Sequence, residues 1–385
     1  MRDTLVIAQA TQYPLAHFVQ FVGTLRRHYD GAVTLLVSNG PSVLRYCEEH
    51  SVVCSVLKGA MATQNGWRGE PAFRFVRYAE LCTPEYAWCF TTDFRDVYFQ
   101  ASPFSFALNL RPLPSLTFVA EYPGKPIRNC RFNKLRIAEC YGWTRTSRIW
   151  DKPIINSGSY YGSPSGMRAL RDSMVSQGCP KWQNSDQGML NWAVHTSNLS
   201  VPFSVVGQGI GPVNTLRWVP DDVTHLGSDS VHPRSRVGRG QAARHACRPP
   251  LASLSSLPSH SIHAHTQVLL ANVLVRNTSA PQPPERWGFP QEGGLPMTRA
   301  VVGAGSMHAV PTVLNGDGLP SAVVHQHDRK PFLWDPMMRW ASAVARATCE
   351  RYMTPPQPSE AMTFEDCIAG REPGTGRAAA GRQRG

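Results

Sequence analysis

The chain has 385 residues, 42% of them hydrophobic, and a net charge of +12; this is enough for one large core or two smaller ones and excludes a wholly disordered protein. Residues 227–310 contribute +5 of that charge and residues 371–385 contribute +3. The remaining residues are only mildly basic. Nucleic-acid binding needs basic and aromatic residues together on a folded face, so we expect no nucleic-acid partner.

Apolar runs and amphipathic segments alternate along the first 226 residues. The pattern predicts strands at 4–8, 32–37 and 52–57 and helices at 15–29 and 42–50. It also predicts a helix at 71–82, strands at 86–90, 117–120 and 154–155, and a helix at 186–194. Strands that alternate with helices imply an α/β fold with a mainly parallel sheet, which binds ligands at the carboxyl ends of its strands.

The composition divides the chain into four parts. We expect residues 1–226 to form the core and residues 227–310, rich in Ser, Pro, His and Arg, to form a disordered insert. Ordered sequence resumes over residues 311–353, with organised segments at 311–314 and 323–325. Residues 354–385 are predicted to be a disordered basic tail.

The ten cysteines include no CxxC pair, which argues against a zinc site. Cys130 and Cys140 are close enough in sequence for a small bridge, and the cysteines of the first 226 residues are equally compatible with buried thiols. No apolar run reaches the roughly 20 residues of a membrane span, and no signal peptide is visible. We therefore expect the chain either to be soluble or to have lost an upstream anchor.

Two carboxylates, Asp93 and Asp96, follow the strand predicted at 86–90. Acids on a turn at the carboxyl end of a strand can hold a hard divalent cation, which stabilises a departing diphosphate. The alternative is a solvated turn in which Arg95 pairs with one of the acids.

Other polar clusters next to apolar segments are Asn156-Ser157-Gly158, Asp186-Gln187, and His325 with Arg329. Gly158 allows the backbone to approach a ligand closely, and an Asp-Gln pair can bind sugar hydroxyls. A ring nitrogen of His325 can complete a metal site, and Arg329 can pair with phosphate. The alternatives are an ordinary strand turn, a helix cap and exposed polar residues.

In this order the segments resemble the nucleotide-diphospho-sugar transferases of the GT-A fold, especially the glycogenin-like and galactosyltransferase branches and a group of plant and algal glycosyltransferases. Thr92–Phe99 resembles the family's TDxRDVxF version of the DxD motif, and later stretches resemble its NSG, DQxxxN and LNxDG…VHQxDR patterns. The resemblance covers about residues 4–226 and 311–335. The acids are spaced DxxD here, and the segment between Val219 and Leu314 is longer than in the family.

The resemblance implies a Rossmann-like GT-A fold and a metal-dependent reaction with Mn²⁺ or Mg²⁺. Its implied metal ligands are Asp93, Asp96 and His325. Its implied donor-binding residues are Ala8 and Thr11 near the base, Arg77 near the phosphates, and Asn156, Ser157, Gly158 and Arg329. Asp186 and Gln187 are the implied catalytic residues, which stabilise an oxocarbenium-like sugar.

The implied activity moves a hexose or pentose from a UDP- or GDP-sugar to a hydroxyl of a glycan, protein or small-molecule acceptor. The Asp-Gln segment resembles that of retaining enzymes. The Golgi lumen is the implied compartment if an anchor has been lost. The alternatives are a catalytically inactive relative that binds a nucleotide or sugar and, further off, a basic nucleic-acid-binding protein.

Overall fold

The computed structural model describes residues 3–38, 40–57, 73–105, 114–122, 125–177, 179, 186–208, 211–217, 299–301, 312–314, 321–329, 331–353 and 362–371. Within these ranges, no helix combines the length and the apolarity needed to cross a membrane.

The main sheet has seven strands in the order β3-β2-β1-β4-β7-β6-β8. These strands are β1 (Thr4–Ala10), β2 (Ala32–Val37), β3 (Val53–Val56), β4 (Trp88–Thr92), β6 (Leu116–Ala120), β7 (Ile155–Gly162) and β8 (Phe203–Val206). The first four in spatial order are parallel, and β6 is parallel to β8. This sheet confirms the predicted α/β class with a mixed, mainly parallel sheet.

Strand β7 runs antiparallel to both of its neighbours, β4 and β6. Its first residues therefore lie at the same edge of the sheet as the carboxyl ends of β4 and β6. Ser159 is paired with Thr92, the last residue of β4, and Ile155 is paired with Ala120, the last residue of β6. The polar stretch at the start of β7 is thereby placed beside the carboxylates that follow β4.

A second sheet of three strands lies across this edge, in the order β5-β12-β9. It consists of β5 (Val97–Phe99), β9 (Val213–Thr215) and β12 (Val323–His325), with β12 antiparallel to β5 and parallel to β9. A short antiparallel pair joins β10 (Arg299–Val301) to β11 (Thr312–Leu314).

Helices pack against both faces of the main sheet around two apolar cores. Their bounds are α1 (Leu15–Phe18), α2 (Pro41–Glu49), α3 (Phe73–Leu81), α4 (Arg131–Tyr141), α5 (Trp143–Thr146), α6 (Pro164–Gln177), α7 (Asp186–His195), α8 (Pro331–Tyr352) and α9 (Phe364–Ala369). A π-helical turn, Val19–Gly23, continues α1. Short 3-10 turns occur at Ile127–Asn129, Ser147–Ile149 and His327–Arg329.

Four disulfides join described cysteines: Cys47–Cys54, Cys82–Cys89, Cys140–Cys179 and Cys349–Cys367. Cys140 is bonded to Cys179, so the bridge between Cys130 and Cys140 is wrong, as is the alternative of buried thiols. Cys130 is also disulfide-bonded. Disulfides persist in oxidising compartments, so this set is typical of a secreted or luminal chain.

The predicted insert, residues 227–310, lies outside the described residues except for Arg299–Val301, which form β10. The predicted tail is wrong at residues 362–371, where α9 begins at a Thr363 cap and is bonded through Cys367 to α8. Propensity did not reveal this helix because its six residues are stabilised by a cap and a disulfide. The rest of the predicted tail lies almost entirely outside the described residues.

Candidate metal and donor site

Asp93 and Asp96 lie on the turn between β4 and β5, at the carboxyl edge of the main sheet. The buried side chain of Gln20 donates hydrogen bonds to the carbonyls of Arg95 and Val97, each at 2.9 Å. Gln20 sits in the π-helical turn after α1, a local geometry that often marks functional positions. These two bonds attach the turn that carries Asp93 and Asp96 to the π-helical turn that continues α1.

His325, the last residue of β12, brings its ring to these carboxylates. Its Nε2 atom lies 3.2 Å from Oδ2 of Asp93 and 3.8 Å from Oδ1 of Asp96. Its Nδ1 atom lies 2.8 Å from Nδ2 of Asn156, a contact that restricts the orientation of the ring. The side chain of His325 is fully buried, whereas that of Asp93 is 39% exposed, so the cluster is open on the side of Asp93.

The three ligand atoms lie within 4.8 Å of one another. Neighbouring ligands about 2.1 Å from an octahedral cation are about 3 Å apart, so Nε2 and the two carboxylate oxygens need to move little to share one ion. Two carboxylates and one imidazole suit a divalent cation such as Mn²⁺ or Mg²⁺. The residues thus fit the metal that the sequence predicts.

Gly158 provides the space for this cluster. The backbone N–H of Asp93 donates to the carbonyl of Gly158 at 2.5 Å, so the backbone after β4 is in direct contact with the backbone of β7. A Cβ atom at Gly158 would overlap the carboxylate of Asp93 and approach Cε1 of His325 to 2.9 Å. The side chain of Asn156 folds back to accept the N–H of Gly158 at 2.5 Å.

Arg74 on α3 joins the carboxylate cluster to the start of α7. Its guanidinium lies 3.1 Å from Oδ1 of Asp93 and 2.5 Å from Oδ2 of Asp186. The side chains of Arg74 and Asp186 are only 14% and 11% exposed. A buried cation that bonds two carboxylates holds them at a fixed separation. It also compensates their charges, which would otherwise be buried without a partner.

Gln187 lies at the centre of a polar network beside this cluster. Its Nε2 donates to Oδ1 of Asn133 at 3.0 Å and to Oε1 of Glu121 at 3.3 Å, and its Oε1 accepts from the hydroxyl of Ser157 at 3.3 Å. Glu121 follows β6 directly and is 2% exposed. Asn191, one helical turn after Gln187, bonds both backbone groups of Ile155 and so attaches α7 to β7.

The charges of the cluster shift its proton affinities. Burial alone would raise the pKa of Asp93, but the hydrogen bond with His325 and the charge of Arg74 lower it below its usual value. Burial raises the pKa of Asp96 despite the nearby His325. Burial would lower the pKa of His325, but the hydrogen bond with Asp93 and the charge of Asp96 raise it. These contacts therefore favour the ionised form of Asp93 and the protonated form of His325.

Most of the predicted site residues lie at this edge, and two differ from their expected places. Ala8 is inside β1 with a buried side chain, so the loop after that strand begins at Thr11. Arg77 pairs with Glu80 on the exposed face of α3, and Arg74 contacts the carboxylates instead. Arg329 lies 3.4 Å from Asp328 on the turn after β12.

Arg74, Glu121 and Asn133 were not singled out from the sequence. Arg77 has a partner three residues later on its own helix, a spacing typical of a surface pair, but this spacing does not by itself identify Arg74 as the inward-facing arginine. Glu121 follows a fully buried strand, as Asp93 does. The rule that ligands bind at the carboxyl ends of such strands, which pointed to Asp93, would also have pointed to Glu121. Asn133 has no comparable signal.

No protein-family model and no curated protein sequence matches the chain. Among solved structures, the chain is similar to mouse xyloside xylosyltransferase 1 in its apo form, with 12% identity and a TM-score of 0.36. The match covers 53% of this chain and 84% of that chain. A likeness at this level carries no argument about the activity of this chain.

Proposed function

We propose that the chain is a metal-dependent glycosyltransferase of the GT-A type. The observation that carries the proposal is the open cluster of Asp93, Asp96 and His325 beside the polar pair Asp186–Gln187. Both lie at the carboxyl edge of a mainly parallel sheet, where such folds bind ligands. The donor is a nucleoside diphosphate sugar, and the acceptor is a hydroxyl group.

Asp93, Asp96 and His325 would hold a divalent ion, which would supply positive charge against the departing diphosphate. The loop that begins at Thr11 would lie against the nucleotide, and Arg329 against its phosphates. The bond between the anomeric carbon and the phosphate oxygen breaks while the acceptor oxygen bonds to that carbon. The proton of the acceptor hydroxyl leaves with the nucleoside diphosphate.

Asp186 and Gln187 would face the sugar from the start of α7. The carboxylate of Asp186 is held by Arg74, and the amide of Gln187 is held by Glu121 and Asn133. These contacts restrict both side chains before any ligand binds, which favours stabilisation of an oxocarbenium-like sugar. We propose retention at the anomeric carbon, since the Asp-Gln segment resembles that of retaining enzymes.

The first test is the melting temperature with UDP, GDP and their sugars, each with and without Mn²⁺. A ligand that binds only the folded chain raises the melting temperature by linkage. We expect a shift that requires nucleotide and metal together, and slow hydrolysis of the matching nucleotide sugar without acceptor. Nucleotide binding without any hydrolysis would favour an inactive binding relative.

The matched variants are Asp96→Ala and Asp151→Ala. Asp96 lies in the cluster, whereas Asp151 is an exposed acid paired with Arg128 away from it. We expect Asp96→Ala to lose the metal-dependent shift and the hydrolysis with its fold intact, and Asp151→Ala to retain both. Equal hydrolysis by the two variants would refute the metal assignment.

A further inference from the structure

The positive charge of the folded part is concentrated in one short stretch. Residues 125–152 hold eight Lys or Arg and two acids, a net charge of +6 within a chain of +12. The two low-complexity segments account for a further +8, so the remaining residues sum to −2. A folded chain that is otherwise slightly acidic thus carries one strongly basic region.

This region forms a lobe with an apolar core of its own. Helices α4 and α5 and the turn at Ser147–Ile149 enclose a cluster of buried residues that is separate from the two main cores: Ile127, Cys130, Ile137, Ile149, Ile154 and Trp192. The basic side chains stand on the surface of this lobe, where Arg131, Arg145 and Arg148 are exposed. The charge therefore lies on a folded surface with its own packing.

Aromatic rings alternate with these cations. Lys134 Nζ lies 5.9 Å from the ring of Trp143 and 5.6 Å from that of Trp150. The guanidinium carbons of Arg145 and Arg148 lie 5.1 and 4.9 Å from the ring of Trp192. Stacking of this kind fixes the guanidinium planes and leaves their N–H edges for a partner.

Four cations of the lobe have no acidic partner among the described residues. Among the described residues, Arg128 is paired with Asp151, but no ion pair involves Arg131, Lys134, Arg145 or Arg148. The ring of Trp143 remains 47% exposed beside them. We call the five residues Arg131, Lys134, Trp143, Arg145 and Arg148 the basic–aromatic face.

The lobe is joined directly to the proposed sugar site. Asn133, on α4 between two members of the basic–aromatic face, accepts the hydrogen bond of Gln187. Trp192, on which Arg145 and Arg148 stack, lies on α7 with Gln187. A ligand bound along the face is therefore one helix away from the residues proposed to hold the transferred sugar.

We propose that the basic–aromatic face binds an anionic glycan, whose uronate or sulfate groups pair with the arginines, and that this glycan is the acceptor. The assignment as acceptor rests on the proposed function. Arginine pairs with carboxylate and sulfate through two parallel N–H bonds, and an exposed indole offers a flat apolar surface to a pyranose ring. Because the partner is extended and charged, its affinity falls as salt rises.

Nucleic acid is the other extended polyanion that such a face fits. The disulfides argue against it, because four cystines among the described residues are typical of an oxidising compartment, where nucleic acids are not the usual partners. The link to Gln187 also favours a carbohydrate. The test therefore includes a nucleic acid and an acidic polypeptide as competing ligands.

The test measures binding of the full chain to fluorescently labelled oligogalacturonate, sulfated heparin oligosaccharide, neutral xylo-oligosaccharide, oligo(dT) and polyglutamate. The face variant is Arg131→Gln/Arg145→Gln/Arg148→Gln. The charge-matched control is Arg168→Gln/Arg339→Gln/Arg371→Gln, which removes three exposed arginines outside the lobe. Hydrolysis of the nucleotide sugar without acceptor is measured on all three proteins.

We expect one of the two acidic oligosaccharides to bind best, and the face variant to bind it about tenfold more weakly than the control does. Donor hydrolysis should be equal in all three proteins. The single variant Arg131→Gln, which loses no ring contact, should weaken binding about threefold and serves if the triple variant is unstable.

Equal binding of the neutral oligosaccharide, tighter binding of oligo(dT) or polyglutamate, or equal affinity of the face variant and the control would each overturn the inference. Oligogalacturonate and heparin separate uronate from sulfate recognition. Absence of donor hydrolysis in the unaltered chain would contradict the proposed function instead, and glycan binding by the face would then stand without the acceptor role.

Discussion

Replacement of Gly158 by Ala should disable the metal cluster while leaving all three ligands in the chain. The added methyl carbon would overlap the Asp93 carboxylate and lie 2.9 Å from Cε1 of His325. Carbon atoms in contact are normally about 3.5–4.0 Å apart, so the carboxylate must move by about 1 Å. Metal sites tolerate deviations of only about 0.2 Å from ideal ligand distances.

Loss of ligand orientation typically lowers metal affinity about 10- to 100-fold. Overpacking at a buried strand position should also lower the free energy of unfolding by about 1–3 kcal/mol. Isothermal titration with Mn²⁺ measures the first effect, and urea unfolding without metal measures the second. The two readings separate a displaced ligand from general loss of structure.

The matched control is Gly23→Ala. A Cβ atom at Gly23 would meet its nearest neighbour, Oη of Tyr46, at 3.4 Å, an ordinary contact, and its nearest neighbours include none of the three ligands. Gly23→Ala should therefore bind Mn²⁺ as the unaltered chain does. If Gly158→Ala also bound Mn²⁺ with unchanged affinity, the assignment of Asp93 and His325 to a shared ion would be refuted.

Three further changes test contacts outside the ligands. Arg74→Met should lower the free energy of unfolding by about 3–5 kcal/mol, because it leaves Asp186 buried without its cation; adding Asp186→Asn should restore part of this loss in urea unfolding, and no restoration would contradict the pairing. Replacing Cys349 and Cys367 together by Ser should cost about 3 kcal/mol, since their disulfide closes a loop of 18 residues; unchanged urea unfolding would show that α9 is held by packing alone. Burial, with the charge of Arg95, lowers the pKa of His17 to about 4 from 6.5. Its folded-state pKa lies below the unfolded value, so its contribution is complete above pH 6.5 and is lost as the pH falls towards 4. Urea unfolding at several pH values should show about 3 kcal/mol less acid destabilisation in His17→Phe than in the unaltered chain, and equal pH profiles would contradict the shift.

The sequence predicted the apolar strands of the main sheet better than its polar strand β7. Apolar runs gave β1, β2 and β4 because buried parallel strands are continuous hydrophobic segments. The same signal predicted only residues 154–155 where β7 spans Ile155–Gly162. The remaining residues of β7 are Asn, Ser, Gly and Tyr, which read as a turn, yet all are buried because the strand lies between two neighbours. Tertiary pairing decided what local pattern did not.

The candidate site shows a similar limit. Motif order gave Asp93, Asp96 and His325, but no sequence spacing determines which of two arginines on one helix faces inward. Arg74 and Arg77 are three residues apart, and only packing of α3 against the sheet directs the first towards the carboxylates. Cysteine pairing is likewise not fixed by sequence, because the number of connectivities rises steeply with the number of cysteines.

The position of β12 bears on whether the long intervening segment is compatible with the proposed activity. Between β9 and β12 the chain runs through 107 residues, about twenty times an ordinary connection. Closure entropy grows only with the logarithm of length, so this excess costs about 3 kcal/mol. Burial of Val323 and Val324 offsets that cost, at about 1.5–3 kcal/mol for each side chain, and β12 gains ladders with both β5 and β9. His325 thus reaches Asp93 although the two residues are 232 positions apart in the sequence. The length of the segment is therefore no argument for the inactive alternative, which has to be decided by donor hydrolysis.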